Sequence, residues 1–135
     1  EVVADYQTAG LSLRAHPISF LRDNLNEYGV TRTADLLHVE AERRYRVAGL
    51  VLLRQRPSTA KGITFMTLED ETGTANLVVH VNVWERFRPI ARQASAIIAH
   101  GILQRQNDVI HLVVDRMDDL TTLLGQVGNR SRDFR

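Results

Sequence analysis

The chain contains no cysteine. Disulfide staples, zinc–cysteine sites and thiol nucleophiles are therefore excluded, and a reducing compartment, the cytoplasm, is the expected setting. No apolar run approaches the ~18 residues that span a bilayer, and no signal-peptide pattern is present, so no membrane association is expected. Lysine is nearly missing: sixteen arginines stand against the single Lys61. Charge of either sign is scarce in sum, because acids and bases cancel to a net +1. That balance by itself predicts nothing about a polyanionic partner. There is no internal repeat and no low-complexity block. What remains is a 135-residue chain with 44% apolar residues, enough for one domain with a real core and a short extension. It starts at Glu1 rather than Met, and is expected to be a piece of something longer.

The N-terminal third reads as helical. His16-Pro17 opens a helix, since proline at a first helical position gives up only an N–H that would be unpaired anyway. Ile18, Leu21 and Leu25 share one face, and Gly29 is placed to end the segment. A second short helix is expected from Thr33 to Leu37.

From Tyr45 the periodicity changes to two. Val47, Gly49, Val51 and Leu53 are expected inside; Ala48, Leu50, Leu52 and Arg54 are expected outside, partly under the N-terminal helices. Pro57 to Gly62 reads as a basic loop and Ile63 to Asp70 as a second strand. Glu71-Thr72-Gly73 reads as a tight turn in which Asp70 binds backbone N–H groups. In the third strand Ala75, Leu77, Val79 and Val81 face in while Asn76, Val78 and His80 face out. A helix over Val83–Arg92, interrupted by Pro89, precedes strands at Ala94–Gln104 and Val109–Asp115, with a closing helix at Asp118–Leu124. Three antiparallel strands, a plug helix and two more strands are the order of a five-stranded OB-fold barrel. The fold class is thus mainly β, with a helical segment at 1–42, the barrel at 43–124 and a loose tail at 125–135.

Catalytic chemistry finds no support. His16, His38, His80, His100 and His111 lack metal-ligand spacing, Glu69, Asp70 and Glu71 alternate across a strand, and no nucleophile elbow or phosphate loop occurs. The cations are more informative. Arg54, Arg56 and Lys61 flank or occupy the first loop, Arg105 starts the turn between the fourth and fifth strands, and an OB barrel gathers those loops about one groove. Asn76 and His80 point toward it, and Phe65 or Met66 offers a stacking surface. These six polar residues form the candidate nucleic-acid site. With so few outward aromatics, binding is expected to be weak and indifferent to sequence. An outward Leu50, Leu52 and Val78 would instead suit protein docking.

The segments AGLSLRAHPISFLR (9–22), VAGLVLLRQRPSTAKGITFMTLEDETGTANLVV (47–79), VIHLVVDRMDDL (109–120) and SRDFR (131–135) resemble the C-terminal part of bacterial C-family DNA polymerases, the error-prone branch above all. The resemblance implies a parent DNA-directed DNA polymerase acting in damage tolerance. Its carboxylates, Mg2+ ions and nucleotide site would lie upstream of this segment. The segment itself would be non-catalytic and without a cofactor, contacting single-stranded template. It also implies an accessory mutasome protein that links the polymerase to the sliding clamp, because the glutamine-led clamp-binding peptide of replicative relatives is missing here. Taken alone, the barrel stretch also resembles the anticodon-binding domain of class II aminoacyl-tRNA synthetases.

Overall fold

The computed structural model describes residues 16–121. The chain enters through a 3-10 turn, Pro17–Leu21, that runs directly into α1, Arg22–Glu27. His16 caps it, its Nδ1 accepting from the Ile18 N–H at 3.1 Å. A second 3-10 turn, Thr33–Leu37, follows. Five strands then form a closed barrel in the order β1-β2-β3-β5-β4: β1 Arg44–Gln55, β2 Thr64–Asp70, β3 Gly73–Val79, β4 Ala96–Gln106 and β5 Val109–Asp119. All neighbours are antiparallel except β3 and β5, whose parallel pairing at Leu77↔Leu112 and Val78↔Val113 closes the barrel. The expected mainly-β barrel is therefore the observed one.

Two glycines permit the tight closure. A Cβ at Gly49 would stand 2.6 Å from the Glu69 carbonyl oxygen, and one at Gly101 would collide with the Val113 carbonyl. Barrel strands cross closely at both points, and only a residue without a side chain fits.

The alternation of β1 holds up to Val51 and then reverses. Val47 is buried in the barrel core, and Ala48 is buried on the other side in a second cluster with Ile18, Leu21 and Leu25. Leu50 packs against that second cluster and is not a free surface residue. Val51 pairs with Leu68 but Leu53 pairs with Thr67, so Leu52 is an extra residue. Such a bulge moves every later side chain to the opposite face. Leu53, expected inside, is 47% exposed, and Arg54, expected outside, pairs with inward-facing Met66.

As expected, the plug is interrupted near Pro89, giving α2, Val81–Arg86, and α3, Arg88–Gln93, with the proline in the first turn of the second. Two other expectations need correction. Val81 begins α2 and is exposed rather than continuing the inward set of β3. β5 runs on to Asp119, because a bulge opposite His100 and Gly101 keeps Met117 pointing into the core and Asp119 paired with Ile97. The expected closing helix does not begin at Asp118: helical geometry first appears at Thr121, and residues 122–124 of that helix, the tail at 125–135 and residues 1–15 lie outside the described residues.

Asp70 joins the layers. It is 2% exposed. Oδ1 accepts from the N–H and hydroxyl of Thr72 (2.8 and 2.7 Å), the Gly73 N–H (3.1 Å) and the Thr33 hydroxyl (2.8 Å). Oδ2 accepts from the Thr33 N–H (2.9 Å) and Arg22 Nη2 (3.2 Å). Burial pushes this carboxyl up, but the hydrogen bonds from Thr33 and Thr72 outweigh it and hold Asp70 below the usual carboxylate range. Arg22 hydrogen-bonds Glu71 and holds it low as well.

Replacing Asp70 by Asn is expected to cost about 3 kcal/mol in urea unfolding, since donors aimed at a buried carboxylate lose its charge. Both folded-state values are depressed, so their contribution is complete at neutral pH and is lost as pH falls below about 4. Unfolding measured at pH 7 and pH 3 is expected to show the wild type losing more stability on acidification than Asp70→Asn.

Candidate nucleic-acid interface

The outward side of β2 and β3 is built from cross-strand pairs. Phe65 lies opposite Val78, Thr67 opposite Asn76 and Glu69 opposite Thr74. β1 extends the face with Gln55 beside Phe65 and Leu53 beside Thr67, and β5 adds Val113 beside Val78. Phe65 is 36% exposed, enough to present an edge or face of its ring. One row is thus aromatic and apolar, and the next is polar and uncharged. Flat apolar surface beside amide and hydroxyl groups suits unstacked bases, which have a π-face and hydrogen-bonding edges.

The six predicted residues divide into those free to meet a ligand and those held within the domain. Asn76 is exposed in the middle of the face. His80 is exposed one residue beyond β3, where it precedes α2. Lys61 is exposed in the β1–β2 loop, at the end of the 3-10 turn Ser58–Ala60 and in the left-handed region at φ 53°. Arg56 is anchored but surface-accessible: its Nε donates to Thr64 Oγ1 at 3.0 Å and its guanidinium lies 4.8 Å over the Trp84 ring. That cation–π contact fixes the charge at the rim.

Arg54 and Arg105 are engaged inside the fold. Arg54 donates from Nε to the Ala91 carbonyl and from Nη2 to the Ala94 carbonyl, both at 2.6 Å. It closes the C-terminal end of α3, and burial lowers its pKa. The β1 bulge turns it toward those carbonyls. Arg105 Nη2 reaches the carbonyls of Leu36, Leu37 and Val39 at 3.3, 3.3 and 2.9 Å, closing the 3-10 turn Thr33–Leu37. Nor do Lys61 and Arg105 converge. The β1–β2 loop enters β2 at Thr64, beside Val79 at the end of β3. The β4–β5 turn lies beside the start of β3, where Asp108 and Val109 share a groove of about 460 Å³ with Gly73, Thr74 and Leu37. The length of β3, about 20 Å, separates the two.

Sequence reasoning missed Thr67 and Leu53 as face residues. Thr67 was legible from the strand period; Leu53 was not, because the bulge that exposes it has no sequence marker. Trp84, partly buried against the barrel core, also supports Arg56 with its ring. Among the described residues no three His, Asp or Glu side chains are grouped to hold a metal ion, and no helix is long and apolar enough to cross a membrane.

Residues 45–120 match the OB-fold nucleic acid binding domain family. The chain belongs to that family. Over its whole length this OB-fold domain is similar to error-prone DNA polymerases, at 52% identity to the one from Rhodopirellula baltica and 42% over 134 residues to that of Sinorhizobium medicae. The resemblance carried by the sequence motifs is thereby upheld. The chain spans 12% of the length of these relatives. Among solved structures, asparaginyl-tRNA synthetase from Pyrococcus horikoshii superposes on 68% of the chain with a TM-score of 0.57 at 19% identity, matching over 23% of its own length. At that identity the likeness is one of fold.

Arg54→Ala and Arg105→Ala are each expected to lower stability by about 1–3 kcal/mol in urea unfolding, since each strands carbonyls at a helical end. Oligonucleotide affinity measured where both variants remain folded is expected to change less than about twofold, because neither guanidinium faces the ligand.

Proposed function

We propose that this OB-fold domain is a non-catalytic module of an error-prone DNA polymerase that holds single-stranded template DNA across β2 and β3. The observation that carries this reading is the face itself: Phe65 and Val78 form an apolar row next to the uncharged Thr67–Asn76 pair, and Arg56, Lys61 and His80 stand at one end. Bases lie on the apolar row, where stacking contributes ~1–3 kcal/mol each, and phosphates meet the cations at the rim. Stacking on the apolar row and charge at the rim do not select among bases, so the binding they supply is indifferent to sequence. The similarity to error-prone DNA polymerases supports DNA as the nucleic acid and translesion synthesis in the cytoplasm as the setting. The parent's Mg2+-dependent nucleotidyl transfer belongs to residues outside this chain.

A second reading, docking of an accessory protein of the mutagenesis complex, is favoured by Leu52 and Leu53. Both are about half exposed on β1 at the border of the face. In that reading Leu52 and Val78 remain in the interface, and Leu50 leaves it because it packs under the N-terminal helices.

Fluorescence anisotropy with labelled single-stranded DNA distinguishes the two. Phe65→Ala is expected to weaken binding about tenfold. A joint Arg56→Ala, Lys61→Gln variant is expected to flatten the salt dependence by about 1.4 in log–log slope, two phosphates at ~0.7 each. Binding unchanged in both variants would remove this face from the site. No measurable DNA affinity, together with retention of the accessory protein, would favour docking, and preference for tRNA over DNA would favour an anticodon-type role.

A further inference from the structure

The near-zero net charge of the chain conceals a segregation of charge. From Ala48 to Leu68 there is no acidic residue, while Arg54, Arg56 and Lys61 fall within that stretch. α2 and α3 add Arg86, Arg88 and Arg92 against Glu85 alone. These two stretches are one surface. The Arg56 guanidinium lies over Trp84 of α2, Arg54 holds the last carbonyls of α3, and Gly62 approaches Val81 so closely that a Cβ there would stand 2.5 Å from the valine side chain. The β1–β2 loop and both helices therefore form a single cap over one end of the barrel.

Cations elsewhere are largely neutralised at close range. Arg22 pairs with Glu71, Arg32 with Asp35, Arg43 with Glu40, Arg44 with Asp115 and Arg116 with Asp118. On the cap only Arg88 has an acidic neighbour, Glu85 at 3.5 Å. Arg86, Arg92 and Lys61 are exposed and have no ion pair among the described residues. Like charges gathered without acids repel one another, a cost that a bound polyanion relieves. At the β2–β3 turn the balance is the reverse, since Asp70 and Glu71 share the single guanidinium of Arg22 and Glu69 meets His16.

We propose that the α2–α3 cap is a phosphodiester-binding surface that continues the β2–β3 face. Single-stranded DNA leaves the face at the Arg56–His80 end and runs over Arg86 and Arg92, away from the β2–β3 turn, where Asp70 and Glu71 share one guanidinium. This rests on the face reading above and adds the direction of exit. Recognition there is by charge alone, so it lengthens the footprint without adding sequence preference.

The test uses the 135-residue chain, oligodeoxythymidines of about 5 and about 20 nucleotides, and a joint Arg86→Gln, Arg92→Gln variant. Glutamine keeps the helices, being nearly as good a helix former as arginine. Arg43→Gln with Arg116→Gln removes the same net charge from elsewhere. The cap variant is expected to bind the longer oligomer about tenfold more weakly at low salt, with a slope shallower by about 1.4, and the shorter one within twofold of wild type. Equal losses on both oligomers, an equal loss from the control pair, or no loss on the longer one would overturn the cap. Phe65→Ala keeps the two readings apart. If it weakens both oligomers while the cap variant weakens neither, the cap alone fails. If it weakens neither, the face fails, and a loss confined to the cap variant would then leave the cap as the binding surface.

Discussion

A carboxylate as deeply buried as Asp70 must be either neutral or saturated with donors, and Asp70 is saturated. Its six contacts come from three places distant in sequence: the β2–β3 turn it belongs to, the 3-10 turn at Thr33, and Arg22 of α1. Thr72 extends the junction, since its hydroxyl accepts from the Ala34 N–H at 3.1 Å while donating to Asp70. The helical entry and the tight turn are therefore one hydrogen-bonded body. The N-terminal segment can then cover the outer side of β1 with Ile18, Leu21 and Leu25, so that β1 is buried on both faces over its first half while the outward side of β2 and β3 stays open for the interface.

Arginine serves three purposes here, and composition does not separate them. Its planar group of five donors suits carbonyls at a helical end, which is how Arg54 and Arg105 are used. The same geometry suits carboxylates, as in the pair of Arg44 with Asp115, where Nε and Nη2 each take one oxygen. A third group, on α2, α3 and the β1–β2 loop, stays in solvent. Only that last group bears on a polyanion. The excess of arginine over lysine thus reflects internal fastening as much as ligand binding.

The interface owes its neutrality to the pleat. Every second residue of β2 and β3 is committed to the core, and the residues between them are Phe65, Thr67, Val78 and Asn76. Charge enters only where the strands end: acidic at the β2–β3 turn, where carboxylates hold the junction with the N-terminal helices, and basic at the opposite end, where the plug helices join the β1–β2 loop. The two polar ends follow from separate structural needs, yet together they give the face a direction.

Period-two alternation, the placing of glycines and the Glu71-Thr72-Gly73 turn made the barrel's strands and most of the core legible in the sequence alone. They did so because burial of alternate side chains is a local property of each strand. Asn76 and His80 were legible as outward residues for the same reason, and Lys61 because it falls in the loop between two strands. The roles of Arg54 and Arg105 were not. A bulge at Leu52 reverses the parity of β1, and helical carbonyls more than thirty residues away in either direction lie within reach of these guanidinium groups. Whether a cation is free or engaged depends on what the closed barrel sets beside it, and contacts made across such sequence distances leave no mark on the residues between them.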